Sequence, residues 1–305
     1  YVPGVRFLST ASVDSKRIEA LVEELKTLEQ DLTTADICCK RNVADQIASI
    51  RTRLLGLLAD LLATGDDATR RAAAYGLSKL EDSRCIPLLA DSLSDPDEGV
   101  RVWAVEGLSS CGGNAALLPL VRALRDESVY VYYSACNALK SVDRDGLWPL
   151  IEAKLCSKDI TVRKRAAKLV GDMGEDRAVP HLIALARDAD RGVRYEAVEA
   201  LRKIGDPASF DVLADCLEDD SRDVRIAAIQ ALRIIGDIRA VEPLVAICIE
   251  NEDLRIPALQ ALKEIAGDEA VTPVIEALDK ARELVSATAE QVMGIVAESH
   301  ARVVS

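Results

Sequence analysis

The chain has few aromatic residues and few histidines. Phe, Trp and Tyr make up 3% of its 305 residues, and only two histidines occur. A core poor in aromatic rings must be filled by aliphatic side chains and alanine, which suits helices that pack closely on one another. Because the two histidines, His181 and His300, belong to no Ser-His-Asp, Cys-His or metal-ligand pattern, we predict no catalytic and no metal-binding residues.

The sequence also lacks a long apolar run and an excess of basic residues. No stretch approaches the roughly 18 apolar residues that a membrane-spanning helix needs, so membrane insertion is not expected. Asp and Glu number 51 against 38 Lys and Arg, which gives a net charge of −13. Nucleic acids and anionic membranes attract basic surfaces, so neither is expected as the main partner.

Eight cysteines are present, but their placement does not predict disulfide bonds. Cys111 and Cys248 stand where other copies of the repeat described below have leucine or isoleucine. The adjacent pair Cys38 and Cys39 belongs to no CxxC motif and has no histidine partner. We interpret the cysteines as small buried apolar residues, and therefore expect a reducing compartment, the cytoplasm or the interior of an organelle.

What the sequence does contain is a 31-residue period. Arginines fall on it at five places, and Tyr132 stands where a sixth is missing. The arginines are Arg70, Arg101, Arg163, Arg194 and Arg225. An alanine follows three residues after each of the six positions: Ala73, Ala104, Ala135, Ala166, Ala197 and Ala228. Four residues later come Leu77, Leu108, Leu139, Val170, Leu201 and Leu232. Six copies without a gap are typical of a stacked repeat array.

Each repeat is predicted to be a hairpin of two helices. Residues suited to cap the first helix recur at Asp66, Asp97, Ser128, Asp159, Asp190 and Ser221. Glycines suited to end it in a left-handed conformation stand at Gly112, Gly174, Gly205 and Gly236. The second helix has its own apolar column: Leu89, Leu120, Ile151, Leu182, Leu213 and Leu244. Such a hairpin cannot bury its apolar face alone, but a stack of hairpins can.

The consensus resembles a known repeat. Asp-x-x-Val-Arg-x-x-Ala-x-x-Ala-Leu-x-x-Ile-Gly-Asp, matched throughout by residues 190–206, resembles the HEAT repeat and is most similar to the HEAT-like repeats of phycobilisome lyases. The resemblance implies an all-α fold, a right-handed α-α superhelix of the armadillo or HEAT type, with about seven to eight two-helix repeats.

The resemblance also implies a ladder between repeats, formed by an aspartate and an arginine six residues apart. The matching pairs are Asp95/Arg101, Asp188/Arg194 and Asp219/Arg225. Ser157, six residues before Arg163, and Tyr132, six residues after Asp126, depart from the pattern. We therefore predict that the ladder is broken near the third repeat.

The period divides the chain into four predicted segments. Residues 1–13 are expected to be a flexible leader, and because the chain begins with Tyr1 we expect it to be processed or trimmed. Residues 14–65 are predicted to form an N-terminal helical cap with a degenerate repeat. HEAT-like repeats of 31 residues then occupy 66–280, with one residue lost before Arg255, and a C-terminal capping helix occupies 281–305.

Aromatic residues depart from the consensus at four exposed-type positions. Tyr75, Trp103, Tyr130 and Tyr133 lie on three neighbouring first helices, beside the core columns on a helical wheel. We hypothesise that they form an outward strip that binds a partner, since exposed Trp and Tyr contribute disproportionately to interfaces. The alternatives are that the N-terminal helices bury the strip, or that it is ordinary surface.

A second candidate surface lies on the second helices. Arg122, Arg125 and Arg187 stand among small residues on what is expected to be the concave side. Such a groove is suited to accept an acidic segment or a carboxylate. The alternative is a solvated face with no binding role.

These features favour a non-catalytic scaffold or adaptor that binds one or more proteins. The alternative, implied by the resemblance alone, is a subunit of a bilin lyase or another phycobilisome-associated factor. No cofactor is expected under the scaffold hypothesis, and a bilin only under the alternative. The sequence leaves the oligomeric state open.

Overall fold

The computed structural model describes residues 37–266 and, outside that range, residues 20, 23–24, 27–32, 275 and 279. Within 37–266 it contains fourteen α-helices, several short 3-10 turns and no strand. The all-α prediction is confirmed for this part of the chain. The predicted leader, residues 1–13, and the predicted capping helix, residues 281–305, lie outside the described residues.

The described residues fall into two units, one that ends at Leu150 and one that begins at Ile151. The helices of the first unit are α1 (Ile37–Thr64), α2 (Asp67–Lys79), α3 (Ile86–Ser92), α4 (Glu98–Cys111), α5 (Asn114–Ala123) and α6 (Val129–Lys140). The division falls within α7 (Arg144–Leu155). The helices of the second unit are α8 (Ile160–Met173), α9 (Val179–Leu185), α10 (Arg191–Ile204), α11 (Phe210–Asp215), α12 (Arg222–Ile235), α13 (Val241–Glu250) and α14 (Arg255–Ala266).

First helices pack side by side within each unit. In the first unit α2 packs on α4 and α4 on α6, and in the second unit α10 packs between α8 and α12. Within the units, second helices pack on the first helix that follows them, as α3 does on α4 and α11 on α12. The C-terminal half of α1 supplies the second helix of the predicted degenerate repeat, because its buried Leu58 stands 31 residues before Leu89.

The predicted capping residues begin the first helices. Five of the six accept a hydrogen bond from a backbone N–H of the first turn: Asp66, Asp97, Ser128, Asp159 and Asp190. Ser221 stands at the N-cap of α12 but its side chain makes no capping bond, so that detail of the prediction is wrong. The local helix starts thus follow from single residues that satisfy otherwise unpaired amides.

Three of the four predicted terminating glycines adopt the left-handed conformation. Gly174, Gly205 and Gly236 have φ between 61° and 72° at the ends of α8, α10 and α12. Gly112 also has positive φ, but its ψ of −174° extends the chain, and Gly113 follows at φ 75°. This turn therefore differs from the other three because two successive glycines, rather than one, reverse the chain.

The predicted core columns are buried. The alanines of the first helices are fully buried in every copy. In the apolar column of the second helices, which begins with Leu89, no residue is more than 1% exposed. The close helix approach that the alanines indicate is most evident at Gly171 of α8, where an added Cβ would lie 2.6 Å from the Cα of Ala200 in α10. Larger side chains at this contact would force the two backbones apart.

The predicted ladder is present, and its ion pairs join consecutive repeats. Four of the five ladder arginines donate from Nε and Nη2 to the aspartate 25 residues later, and their side chains do not pair with an aspartate side chain six residues earlier. The four pairs are Arg70–Asp95, Arg101–Asp126, Arg163–Asp188 and Arg194–Asp219, with Nε–Oδ2 distances of 2.7–2.8 Å. Nη1 meanwhile donates to a backbone carbonyl five or six residues earlier, which fixes the guanidinium in place.

The ladder is interrupted at the third repeat, as predicted. The two positions of that rung hold Tyr132 and Ser157, neither of which carries the required charge. Ser157 does not weaken the next rung, contrary to the prediction, because Arg163 uses only the backbone carbonyl of Ser157, at 2.8 Å. Tyr132 is buried, so an apolar ring replaces the arginine side chain.

Candidate interaction surfaces

Two of the four candidate aromatic residues pack against each other. Tyr75 of α2 and Trp103 of α4 meet edge to face, with ring centroids 4.7 Å apart, and both are half-buried. Lys79 lies one helical turn beyond Tyr75 with its Nζ 5.4 Å from the tyrosine ring centroid. The pair therefore joins neighbouring first helices, and each ring is partly covered.

The other two aromatic residues are exposed on the first turns of α6. Tyr130 is 72% exposed, Tyr133 is 49% exposed, and Val129 beside them is 56% exposed. We call these three residues the α6 patch. The ring centroid of Tyr133 lies 5.2 Å from that of the buried Tyr132, so the exposed ring contacts a buried one. The four candidates therefore fall into a half-buried pair and an exposed patch.

The α6 patch is held by well-defined local structure. Ser128 accepts hydrogen bonds from the amides of Tyr130 and Val131 at 3.1 and 3.4 Å, which fixes the start of the helix. The amide of Ser128 in turn donates to Oδ1 of Asp126, whose carboxylate receives the fork of Arg101. The patch is therefore tied directly to a ladder rung.

The candidate arginines on the second helices occupy two different settings. Arg122 and Arg125 are exposed and line a groove of about 320 Å³ between the ends of α3 and α5, with Leu93 and Pro119. Arg187 is also exposed, but its Nη2 lies 2.6 Å from the carboxylate of Asp215. An incoming acidic group would have to compete with Asp215 for Arg187.

A larger groove of about 540 Å³ lies on the first helices of the second unit and was not predicted. It is lined by Lys164, Tyr195, Glu196, Asp223 and Ile226, among others. Burial raises the pKa of Glu196 above its ordinary value, and Lys168 and Lys164 oppose that effect. The repeat places Tyr195 one period before Ile226, in the column that also holds Val102 and Tyr133, and this succession of apolar residues is the signal that could have revealed the groove.

His181, for which no special chemistry is expected, lies near one carboxylate. Its Nε2 is 3.4 Å from Oε1 of Glu152. Among the described residues, no group of three His, Cys, Asp or Glu side chains is arranged to hold a metal ion. Nor is any described helix both long enough and apolar enough to span a bilayer.

Six cysteines have described side chains, and all six are free thiols. Burial raises the pKa of Cys85 to about 12 and the pKa of Cys216 and of Cys248 to about 11. These values fit the prediction of small buried apolar residues. Cys156 is exposed and departs from it, because it follows the buried Leu155 at the end of α7.

The repeats match one protein family. The model of HEAT repeats matches overlapping segments from residue 25 to residue 256, at 25–109, 54–140, 117–202, 147–233 and 180–256. No curated protein matches the sequence.

Several solved structures resemble the fold. Kap121p bound to Ste12p matches 90% of this chain and 35% of its own, at 15% identity and a TM-score of 0.65. The CpcE–CpcF complex of phycocyanin lyase from Nostoc matches 74% of this chain and 94% of its own, at 20% identity and a TM-score of 0.34. Human deoxyhypusine hydroxylase matches 71% and 97%, at 20% identity and a TM-score of 0.33. These likenesses concern the fold alone. With repeats matched over most of its length, the chain belongs to the HEAT-repeat family.

Proposed function

We propose that the protein is a non-catalytic scaffold that binds another protein through the α6 patch. The observation that carries the proposal is the exposure of Val129, Tyr130 and Tyr133 together on two turns of one helix. Single exposed apolar residues are common, whereas a cluster with two tyrosines has the composition of an interface hot spot.

The physical setting of the patch supports binding at a low ordering cost. Tyr130 and Tyr133 stand on a capped helix, and the Asp126–Arg101 rung lies directly below its start. A tyrosine loses little side-chain freedom on binding and offers both an apolar ring and a hydroxyl group. A rigid surface of this kind keeps more of its contact energy as affinity than a mobile loop would.

That the other candidate residues contact the same partner remains a prediction. The Tyr75–Trp103 pair lies on α2 and α4, and α4 packs next to α6. Arg122, Arg125 and Arg187 belong to the second helices and would bind acidic groups.

The proposal is tested with a double variant, Tyr130→Ser and Tyr133→Ser, in the full chain. The matched control is Ile238→Ser with Ile256→Ser, two apolar residues that are 65% and 70% exposed in the other unit. Each tagged protein is used to capture partners from an extract of the source cells, and the captured proteins are quantified by mass spectrometry.

We expect the tyrosine variant to capture at least about tenfold less of its specific partner than the parent does, since two hot-spot residues are removed. The control should retain the partner, and both variants should unfold within a few degrees of the parent. Equal capture by the parent and the tyrosine variant would contradict the proposal. A second experiment mixes the purified protein with phycocyanobilin and records the visible absorption spectrum. An absorption band from bound bilin would also contradict the proposal, because it favours the bilin-lyase alternative.

A further inference from the structure

Arg225 is a ladder arginine whose carboxylate partner is missing. Its Nη1 donates to the carbonyl of Asp219 at 2.7 Å and approaches that of Asp220 at 3.4 Å, so the guanidinium is held as in the other rungs. Its Nε is buried and has no hydrogen-bond partner. A buried donor left unpaired is costly, which makes this position a strong candidate for a ligand.

The other four rungs show what this guanidinium is shaped to bind. In Arg194 the same two groups, Nε and Nη2, donate to Oδ2 and Oδ1 of Asp219 at 2.7 and 2.9 Å. In Arg163 they donate to Asp188 at 2.8 and 3.0 Å. Both arginines are fixed through Nη1 by backbone carbonyls, as Arg225 is. The fork of Arg225 is therefore preorganised for the two oxygens of one carboxylate.

The partner is missing because the next repeat lacks one residue. The residue 25 positions after Arg225 is Glu250, and it belongs to the last turn of α13. In the intact rungs the equivalent aspartate lies in the loop after the second helix, where it also accepts a backbone amide, as Asp219 does from Ser221 at 2.8 Å. The loop after Glu250 has only Asn251 before the next 3-10 turn.

A groove opens beside Arg225. It has a volume of about 330 Å³ and lies between α11 and α13, lined by Leu217, Pro243, Ile247 and Asn251 beside Arg225. Three acidic residues, Glu218, Asp219 and Glu250, also line it, and Asp219 is already paired with Arg194.

A second acid beside the fork does not exclude a bound carboxylate. Arg101 pairs with Asp126 at 2.8 Å while Glu127 lies 3.7 Å away. Arg194 contacts both Asp219 and Asp220.

We infer that Arg225 binds the carboxylate of an acidic side chain presented by a partner protein, with the apolar walls of the groove contacting the residues beside it. The site deepens the proposed scaffold function, on which it rests, by adding a charged contact in the second unit. The template of the four filled rungs favours an aspartate in an extended loop.

The experiment follows the arginine Nε–H signals of the full-length protein by NMR. The probe is an acetylated, amidated peptide with the sequence of residues 92–98, Ser-Leu-Ser-Asp-Pro-Asp-Glu, which contains the aspartate that fills the first rung. It is titrated to millimolar concentration, beside a control peptide that carries Asn in place of Asp95. The protein variants Arg225→Lys and Glu250→Gln are compared with the parent.

We expect the Arg225 signal to move on titration while the signals of the four paired ladder arginines stay in place. The control peptide and the Arg225→Lys variant should bind at least about tenfold more weakly, because a lysine keeps the charge but lacks the fork. Glu250→Gln should bind the probe at least as well as the parent.

Two results would overturn the inference. One is an Arg225 Nε–H signal that shows a paired guanidinium before any peptide is added, since a group of the chain itself would then fill the fork. If that signal shifts in the Glu250→Gln variant, Glu250 is the group. The other is an Arg225 signal that no peptide moves. Neither result bears on tyrosine-dependent capture, so failure here is distinct from failure of the proposed scaffold function.

Discussion

Arg194 donates two parallel hydrogen bonds to Asp219, which lies 25 residues later in the sequence. Its Nη1 donates to the carbonyl of Asp188 at 3.0 Å. One side chain thus connects the loop of its own repeat to the loop of the next. Those loops also present the caps of the first helices, so the rungs fix the spacing of helix starts within each unit.

The rungs should contribute measurably to stability. Arg101→Lys removes the two-pronged bond to Asp126 and should lower the free energy of unfolding by about 1–3 kcal/mol. The matched variant Arg225→Lys loses the same kind of backbone contact but no carboxylate partner, so its cost should be clearly smaller. Urea unfolding followed by circular dichroism measures both. Equal losses would show that the carboxylate contributes little.

The ladder aspartates should make stability depend on pH in the acid range. Burial raises the pKa of Asp188, but hydrogen bonds from Arg163 and the amide of Asp190 outweigh it and hold the pKa below its ordinary value. The folded state therefore binds fewer protons than the unfolded state. The stabilisation is complete above about pH 4–5 and is lost as the pH falls through the folded pKa.

Asp188→Asn should accordingly be less stable than the parent at pH 7. The difference between the two free energies of unfolding should narrow as the pH falls to 3, because the unfolded carboxylate, with its higher pKa, takes up its proton first. Urea unfolding at the two pH values provides the comparison, and a difference that does not change with pH would contradict the assignment.

Gly171→Ala should destabilise the second unit, although alanine ordinarily favours a helix by about 0.5–1 kcal/mol. The new Cβ would lie 2.6 Å from both Cα and Cβ of Ala200, so α8 and α10 would have to move apart, at a cost of about 1–3 kcal/mol. The control is Gly56→Ala in α1, where nothing lies within 4 Å and stability should rise slightly. Thermal unfolding of the two variants should shift in opposite directions.

Thiol reactivity should separate the cysteines by burial. Cys156 is exposed and should react with a disulfide reagent such as 5,5′-dithiobis(2-nitrobenzoic acid) within minutes at pH 8. Cys85, Cys216 and Cys248 should react only as the fold opens, because burial raises the pKa of each thiol to about 11 or 12. Peptide mapping of the labelled protein identifies the sites, and fast labelling of Cys216 would contradict the described core.

Much of the architecture was predictable because one sequence pattern of 31 residues recurs along the chain. Caps such as Asp97 and end residues such as Gly174 act within one helix, so their roles can be inferred from local spacing. The interruption at Tyr132 could be predicted because one substitution in a regular column is visible without a structure.

Contacts between repeats were harder to predict. The resemblance paired Arg101, Arg194 and Arg225 with the aspartate six residues before each. The true partner of Arg194 is Asp219, in the next repeat. A helical wheel placed Trp103 on an outer face but could not show that Tyr75 covers it from the neighbouring helix. The unfilled fork of Arg225 depends on a single residue lost before Arg255, and the length of a repeat does not by itself show that a rung is left open.

The most direct test of the proposed scaffold places a photo-crosslinking residue in the α6 patch. p-Benzoylphenylalanine replaces Tyr130 in one variant and Ile238 in another, both exposed in the parent. After irradiation in source-cell extract, the first variant should form a covalent adduct with the same protein that Tyr130→Ser with Tyr133→Ser fails to capture, and the second should not. Adducts of equal yield from both positions, or none from position 130, would contradict a binding role for this surface.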